Sequence, residues 1–376
     1  MDHLHKTAVY PAYGGVGAKI VNFEGWALPL QFEGILAEHQ AVRKAAGVFD
    51  VSHMGEVEVA GKDASIYLNM LLSNDISRIR DGQTQYSILL NENGGAVDDV
   101  MAYRFSGQHY MIVVNAANRY KDIKWMMDHT EGYQVTVSDR SDDVAQLAIQ
   151  GPKSVDLMRA FIGEEAGKIR FFRFSDSIRI QGVSCLVSRT GYTGEDGFEV
   201  YLSPDHAMKL WEDLLEAGKE FGLKPAGLGC RDTLRFEACL PLYGRELTED
   251  ITPLEADLEH FVKMEKTDFI GKKALAAQKE RGLERKIAGF EIKGRGIPRS
   301  GYEIRKNGKK AGRVTTGYYS PTLEKNLGLA LVDAGIAAPG NTIEVAIRGK
   351  SVPGITVETP FYKKKYQKYL PEPYFS

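Results

Sequence analysis

Asp98 and Asp99 stand directly after the turn signal Gly94-Gly95, at the head of an apolar run that predicts a strand over Val97–Phe105. Side chains alternate along a strand, so one carboxylate points into the fold and the other away from it. An inward carboxylate is a candidate general base; the alternative is that both acids are turn residues bonding their own backbone. If Asp99 faces a cavity, Asp98 faces the other way and serves the turn by capping a backbone N–H. A second chemically unusual stretch runs from Arg189 to Leu202, where Gly191, Gly194 and Gly197 alternate with Glu195, Asp196 and Glu199 ahead of a strand. Such glycines let the backbone approach a ligand while carboxylates line the rim, and an acidic, turn-rich loop is the equal alternative. Further on, Arg231 and Arg235 lie one helical turn apart and share a face. They could grip a carboxylate together, or serve ion pairs with residues such as Asp232 or Glu237.

Several chemistries are excluded. Gly14-Gly15-Val16-Gly17-Ala18-Lys19 lacks the Ser or Thr of a phosphate loop and the third glycine of a dinucleotide fingerprint, and reads as a turn. His53 has no second His or Cys at metal spacing and reads as a hydrogen-bonded structural histidine. Cys185, Cys230 and Cys239 are odd in number and form no C-x-x-C, which argues against a disulfide framework or structural zinc and fits a reducing compartment. With 48 basic and 50 acidic side chains the net charge is −2. No global field therefore draws the chain to nucleic acid or an anionic membrane, and an anionic ligand must be met locally. Nowhere do some ~18 apolar residues run together, and Met1–Tyr10 has no apolar core of secretory length. The expected location is the cytoplasm, or the mitochondrial matrix for a mature eukaryotic chain.

Apolar periodicity supplies the elements that must carry these groups. At 376 residues the chain should divide into two or three domains. The first half predicts strands at Ala18–Phe23, Met54–Val59, Gln85–Asn91, Tyr110–Val114 and Tyr133–Asp139. Helices are predicted at Ile35–Ala46 with Gly47 as its stop, Lys62–Asn74 and Asn118–Met127. A buried strand over Val144–Gln150, a helix over Ser154–Phe161 and a hairpin of Ile178–Ile180 with Val183–Ser188 follow. Next come helices over Ala207–Phe221 and within Gly227–Ala238, a capped helix start at Thr252-Pro253 and a charged helix over Lys273–Lys286. The pattern is α+β with antiparallel neighbours, and strict strand–helix alternation is missing. After Arg285, short strands with Gly- and Pro-rich turns have the rhythm of a small β-barrel. The tail beyond Phe361 holds four lysines and four tyrosines and reads as a solvated terminus whose Lys363–Lys365 offer local positive charge.

Gly25-Trp26-Ala27-Leu28-Pro29, Phe49-Asp50-Val51-Ser52-His53-Met54, Gly94 to Tyr103, Gly191 to Glu199, Arg231 to Glu237, Leu242-Tyr243-Gly244, Thr252 to Ala256, Phe269-Ile270-Gly271-Lys272, Arg295 to Arg299, Ser320-Pro321-Thr322-Leu323 and Pro360-Phe361-Tyr362 occur in order. Over nearly the whole chain this set resembles the aminomethyltransferase family, the T protein of the glycine cleavage system. The resemblance implies a three-domain cloverleaf with a C-terminal β-barrel and folate in the central hole. Residues 1–50 with 141–284 would form one discontinuous domain, 51–140 an inserted one, and 285–376 the barrel. It implies transfer of the one-carbon unit of the aminomethyl-lipoyl H protein to tetrahydrofolate, giving 5,10-methylenetetrahydrofolate, ammonia and the dihydrolipoyl H protein, with no nucleic acid or membrane partner. Carried across motif by motif, Asp99 corresponds to the family's catalytic aspartate, and Glu199 and Arg231 to its folate-contacting acid and arginine. Tyr192, Tyr86, Asn115 and Tyr366 are further expected pocket residues. Glu24, Cys230, Cys239 and His260 depart from the family's usual residues. The rival readings are a folate-dependent demethylase on the same fold and a non-enzymatic folate-binding accessory protein, though the Lys-Gly-Cys-Tyr-x-Gly-Gln segment of such relatives is absent.

Overall fold

The computed structural model describes residues 3–366, which form two open sheets, a small hairpin and a closed barrel. The hairpin pairs Lys19–Phe23 with Trp26–Gln31 across a turn in which Glu24 (φ 50°) and Gly25 (φ 87°) are both left-handed. Helix Ile35–Lys44 follows. Glu38, one turn in, accepts the N–H groups of Phe32 (2.7 Å) and Gly34 (3.0 Å) on one oxygen and that of Gly227 (2.9 Å) on the other. One buried acid thereby ties the helix start to the hairpin and to the start of a second helix, Leu228–Glu237.

The first sheet has six strands, ordered Phe174–Ile180, Val183–Ser188, Gly197–Leu202, Ala145–Gln150, Ala46–Asp50 and Leu223–Pro225. Two of its inner strands, Ala145–Gln150 and Ala46–Asp50, are buried along their whole length. Val48, Leu147 and Ile149 pack with Trp211, Leu214 and Met158 from the helices on one face. Phe49 and Ala148 meet Val42, Cys230 and Leu234 from helices Ile35–Lys44 and Leu228–Glu237 on the other. Covered on both sides, these strands need continuous rather than alternating apolar character. Ala46–Asp50 was not distinguished from its surroundings by alternation for this reason. Gly47, expected to stop the preceding helix, instead lies inside this strand, where a Cβ would sit 2.4 Å from Val42 Cγ2.

The second sheet is antiparallel, in the order Gln83–Leu90, Ala96–Ser106, His109–Val114, Gly55–Ala60 and Thr136–Asp139. Val97, Val100 and Ala102 pack under helices Ala64–Leu71 and Arg119–Asp128. Tyr103, with Met101 and Phe105 partly buried beside it, turns to the first sheet and meets Phe174 and Tyr201. Strands Arg285–Ile292, Lys325–Asp333, Lys309–Ser320, Glu303–Lys306, Thr342–Ile347 and Lys350–Val357 close the barrel around Phe290, Val314 and Val345.

Between the first sheet and the barrel, Leu247, Ile251, Leu254 and Phe269 pack with Ile88 and Leu90 of the second sheet and Leu331 of the barrel, so one apolar cluster ties the units together. Here the expected helix start does not develop. Thr252 and Glu255 make the reciprocal cap, with the Glu255 N–H donated to Thr252 Oγ1 (3.2 Å) and the Thr252 N–H to Glu255 Oε2 (2.9 Å). The chain then leaves the helical path at Asp257 (φ 63°), and Arg285 donates to the same carboxylate at 2.7 Å. The tail also differs from a solvated terminus. Phe361 packs on Phe236 with ring centres 5.4 Å apart, and Tyr362 donates its N–H to Glu237 O (2.8 Å) with Arg43 over its ring at 4.0 Å. Residues 367–376 of the tail lie outside the described residues. Among the described residues no helix is long and apolar enough to cross a membrane.

Gly95 marks the closest approach of the connecting segment to the second sheet, since a Cβ there would sit 1.7 Å from Glu249 O, a backbone atom that cannot swing aside. Gly95→Ala should therefore cost at least about 3 kcal/mol of stability in urea denaturation. A loss under about 1 kcal/mol would mean the 240–256 segment yields freely.

Candidate active site

Asp99 shares its face of the Ala96–Ser106 strand with Met101 and Tyr103, so it points toward the first sheet and away from the helices. Tyr86 on the neighbouring strand donates its hydroxyl to Asp99 Oδ2 at 3.0 Å, and Asn115, just past strand His109–Val114, donates Nδ2–H to Oδ1 at 3.0 Å. Burial raises the Asp99 carboxyl to about 7, helped by the neighbouring Asp98 charge and opposed by the Tyr86 and Asn115 hydrogen bonds. A carboxylate so placed can exchange protons near neutral pH.

Asp98 faces the other way, as alternation requires, but it is no turn residue. It is fully buried and accepts the Asn115 N–H (3.0 Å), Asn115 Nδ2–H (2.9 Å) and Asn118 Nδ2–H (2.8 Å). The turn is served by Asn91, whose side-chain oxygen takes the N–H groups of Asn93 (2.9 Å) and Gly95 (3.1 Å). A register shift opposite Leu89 and Leu90 sets Asp98 inside the sheet, beyond the reach of the hairpin's own backbone.

Glu199 enters from strand Gly197–Leu202, where Thr190 donates its hydroxyl to the carboxylate. Thr190 in turn lies 2.6 Å from Ser188 Oγ, which is 3.2 Å from the Tyr103 hydroxyl, so a chain of hydroxyls connects the two sheets. Burial raises the Glu199 carboxyl, while the Thr190 bond and the Arg231 charge work against it. Arg231, on helix Leu228–Glu237, lies over the Tyr192 ring at 4.6 Å, and burial pulls its guanidinium down. Among the described residues no carboxylate stands at ion-pair distance from it. Arg235 is used differently, donating to Asp232 (2.6 Å), Glu246 (2.9 Å) and Thr316 (3.2 Å). Of the two arginines expected to share a task, only Arg231 keeps its donors free for a ligand.

The glycine-rich loop is less of a ligand rim than expected. Glu195 pairs with Arg43 (2.8 Å) and Asp196 with Arg189 (2.5 Å), both buried, while Gly191 and Gly197 leave room for the Gln150 side chain, which a Cβ would approach to 1.9 and 2.3 Å. Its contribution to the site is Tyr192, whose hydroxyl donates to Pro241 O, together with Glu199 beyond it. Tyr366 reaches back, but to the acidic side of this loop: it donates to Glu195 Oε2 (2.7 Å) and accepts the Asp196 N–H (2.9 Å). Among the described residues its hydrogen bonds go to Glu195 and Asp196, and none to Asp99, Glu199 or Arg231.

Tyr86, Asp99, Asn115, Tyr192, Glu199 and Arg231 are each partly accessible rather than sealed. Burial is nevertheless the leading cause of every shift found among them, as befits groups lining an interior space. Charge coupling follows the same path, from Asp99 to Tyr192 and from Arg231 to both Tyr192 and Glu199. Tyr192 and Arg231 also line an apolar cleft of ≈ 560 Å³ that reaches outward past Val21, Phe23, Ile297 and Tyr319. Tyr192 also lies within charge range of Asp99, and Arg231 of Glu199. Two groups were misjudged or missed. His53 is buried, but Nδ1 has no hydrogen-bond partner, and burial with the Arg231 charge lowers its imidazole to about 3. Glu56, in strand Gly55–Ala60, has no partner for either oxygen and is pushed well above the carboxylate range by burial. Alternation could mark Glu56 as inward; its unpaired state depends on which residues other strands bring opposite.

The raised Asp99 carboxyl has a stability consequence. Between about 4 and about 7 the folded protein holds a proton the unfolded chain has lost, so stability contributed by the neutral acid fades as pH rises through this window. Asp99→Asn should therefore be more stable than wild type by roughly 2 kcal/mol in urea melts at about pH 8, the gap closing toward about pH 4. A variant less stable at both ends would contradict the buried-charge account.

Comparison with known proteins agrees with this architecture. Residues 9–266 match the family model for the GCVT N-terminal domain, and 285–363 that for the glycine cleavage T-protein C-terminal barrel domain. The aminomethyltransferase of Caldanaerobacter subterraneus subsp. tengcongensis is 57% identical over 98% of each chain. That of Thermoanaerobacter pseudethanolicus is 54% identical over 98% of this chain and all of its own. The crystal structure of glycine cleavage system aminomethyltransferase T from Bartonella henselae superposes with a TM-score of 0.90 at 31% identity, covering 97% of this chain and 100% of that one. The chain thus belongs to the glycine cleavage T-protein family of aminomethyltransferases.

Proposed function

We propose that the site assembled around Asp99 carries out the aminomethyltransferase reaction of the glycine cleavage system with tetrahydrofolate as acceptor and the aminomethyl-lipoyl H protein as donor. The products would be 5,10-methylenetetrahydrofolate, ammonia and the dihydrolipoyl H protein. The observation that carries this reading is Arg231, a half-buried guanidinium with no ion pair among the described residues, held on Tyr192 beside Glu199 and within the same charged group as Asp99. An arginine with free donors suits a carboxylate or carbonyl, and an acid such as Glu199 suits amino and ring N–H donors, which a reduced pterin with its glutamate tail presents. Bound tetrahydrofolate supplies two amine nitrogens that take the carbon at the formaldehyde oxidation level, giving up two protons while the departing sulfur and ammonia take two.

Asp99 is then the group that accepts and returns a proton, with Tyr86 and Asn115 holding its two oxygens. The division into 1–50 with 141–284, 51–140 and 285–376 is supported by each large sheet lying within one of these parts. Three free cysteines suit a reducing compartment, and we place the enzyme in the cytoplasm.

The decisive experiment follows ammonia release from aminomethyl-loaded H protein with and without tetrahydrofolate. Asp99→Asn should lower turnover by roughly 100-fold or more while folate affinity persists. Arg231→Ala should weaken folate binding by about 2 kcal/mol in calorimetry. Unchanged affinity would remove Arg231 from the site. Because the ionised form of Asp99 is the working one, turnover should rise with pH through about 7. Tyr86→Phe deletes a hydrogen bond that favours the carboxylate, so its rising limb should move to higher pH.

A further inference from the structure

Asp122 lies in helix Arg119–Asp128 behind the strand of Asp99, with no surface exposed and, among the described residues, no donor reaching either carboxylate oxygen. Its neighbour within hydrogen-bonding range is the carboxylate of Asp98, equally buried. Two acids in contact in a sealed site do not both ionise, so they share a proton. The donors decide which acid holds it. Asp98 accepts three N–H bonds, at 3.0, 2.9 and 2.8 Å, and Asp122 accepts none. The neutral member is therefore Asp122, and its O–H can go only to Asp98. Burial and the Asp98 charge together push Asp122 up to about 11.

The contact leads to the reacting centre in two steps. Asp98 holds Asn115 by backbone and side chain, and Asn115 Nδ2 also reaches Asp99 Oδ1 at 3.0 Å. We propose that Asp122 is a positioning residue for the one-carbon transfer, a neutral carboxylic acid whose O–H locks Asp98 and, through Asn115, fixes the orientation and proton affinity of Asp99. The proposal rests on the reading of Asp99 as the proton-exchanging group. The charged and titratable groups facing this pair are few. On Asp122's own helix, Lys121 donates to Val97 O (2.5 Å) and to the Tyr243 hydroxyl (2.8 Å) and lies 3.7 Å from Glu249. Tyr86 and Tyr192 face Asp99 from the adjoining strand and loop. None of them donates to Asp122.

Infrared difference spectroscopy of the full-length enzyme, together with kinetics, tests this. Wild type near neutral pH should show the C=O stretch of a protonated carboxylic acid that disappears in Asp122→Asn and survives in Asp99→Asn. Asp122→Leu, which keeps the bulk and loses the donor, should lower kcat by roughly 10-fold and move the rising pH limb upward, with KM for folate little changed. Asp122→Asn, whose amide can still donate to Asp98, should restore kcat to within about 3-fold of wild type. Identical wild-type and Asp122→Asn carboxyl spectra would overturn the proposal, as would an Asp122→Leu enzyme with wild-type kcat and pH limb. Should Asp122→Leu fail to fold, the spectra and the Asp122→Asn kinetics decide by themselves. Full turnover in Asp99→Asn with the Asp122 band intact would instead refute the role given to Asp99.

Discussion

A strand clamped between an apolar helix layer and a second sheet must give its alternate side chains chemically different surroundings, and the enzyme depends on that at Ala96–Ser106. On one side, Val97, Asp98, Val100 and Ala102 meet the helices; on the other, Asp99, Met101 and Tyr103 meet the interior between the sheets. Adjacent carboxylates thus acquire opposite duties. Asp98 is saturated with donors and serves as an anchor. Asp99 stays partly accessible and is buried enough to titrate near neutrality, as the proton exchange proposed for it requires.

Saturation distinguishes structural from functional charge elsewhere in the molecule as well. Burial alone would raise Glu237, but His39, Arg43 and Ser320 hold it down to about 2. With Thr322 it joins helix Leu228–Glu237 to the barrel strand ending at Ser320 and to helix Ile35–Lys44. Arg235, braced by Asp232 on its own helix, ties that helix to Glu246 and to Thr316 of the same barrel strand. Breaking such a buried network leaves an uncompensated charge, which typically costs about 3–5 kcal/mol. Arg231 shares the helix with both and has no ion pair among the described residues. The surrounding network holds it in place, and its donors remain for a ligand.

The interior carries a thermodynamic cost for this arrangement. Asp99, Glu199, Glu56 and Asp122 are all pushed upward by burial, so their charged forms are disfavoured in the folded state. In the neutral form proposed for it, Asp122 spares the fold a second buried charge behind the strand of Asp99. The apolar cluster joining Leu247, Ile251 and Phe269 to Ile88, Leu90 and Leu331 holds the second sheet, which with its helices carries Asp99, Glu56 and Asp122, to the barrel.

Local pattern was sufficient for much of this. Periodicity located the strand of Asp99 and the helix of Arg231, alternation set Asp99 and Asp98 on opposite faces, and the ordered motifs identified the family. These properties are local or cumulative, so they survive without coordinates. What each polar group meets is a long-range property, and there local reasoning failed. Gly47 answers to Val42 packing on a strand, Gly191 and Gly197 make room for Gln150, and the Thr252–Glu255 cap ends in a turn because the chain departs at Asp257. Arg231 and Arg235 are equivalent in spacing; they separate because tertiary contacts bring Glu246 and Thr316 to one and leave the other facing Tyr192. The amino-acid order determined which side chains share a face. The folded neighbourhood decided which of them were neutralised and which were left able to react, because hydrogen-bond saturation and desolvation depend on atoms remote in the chain.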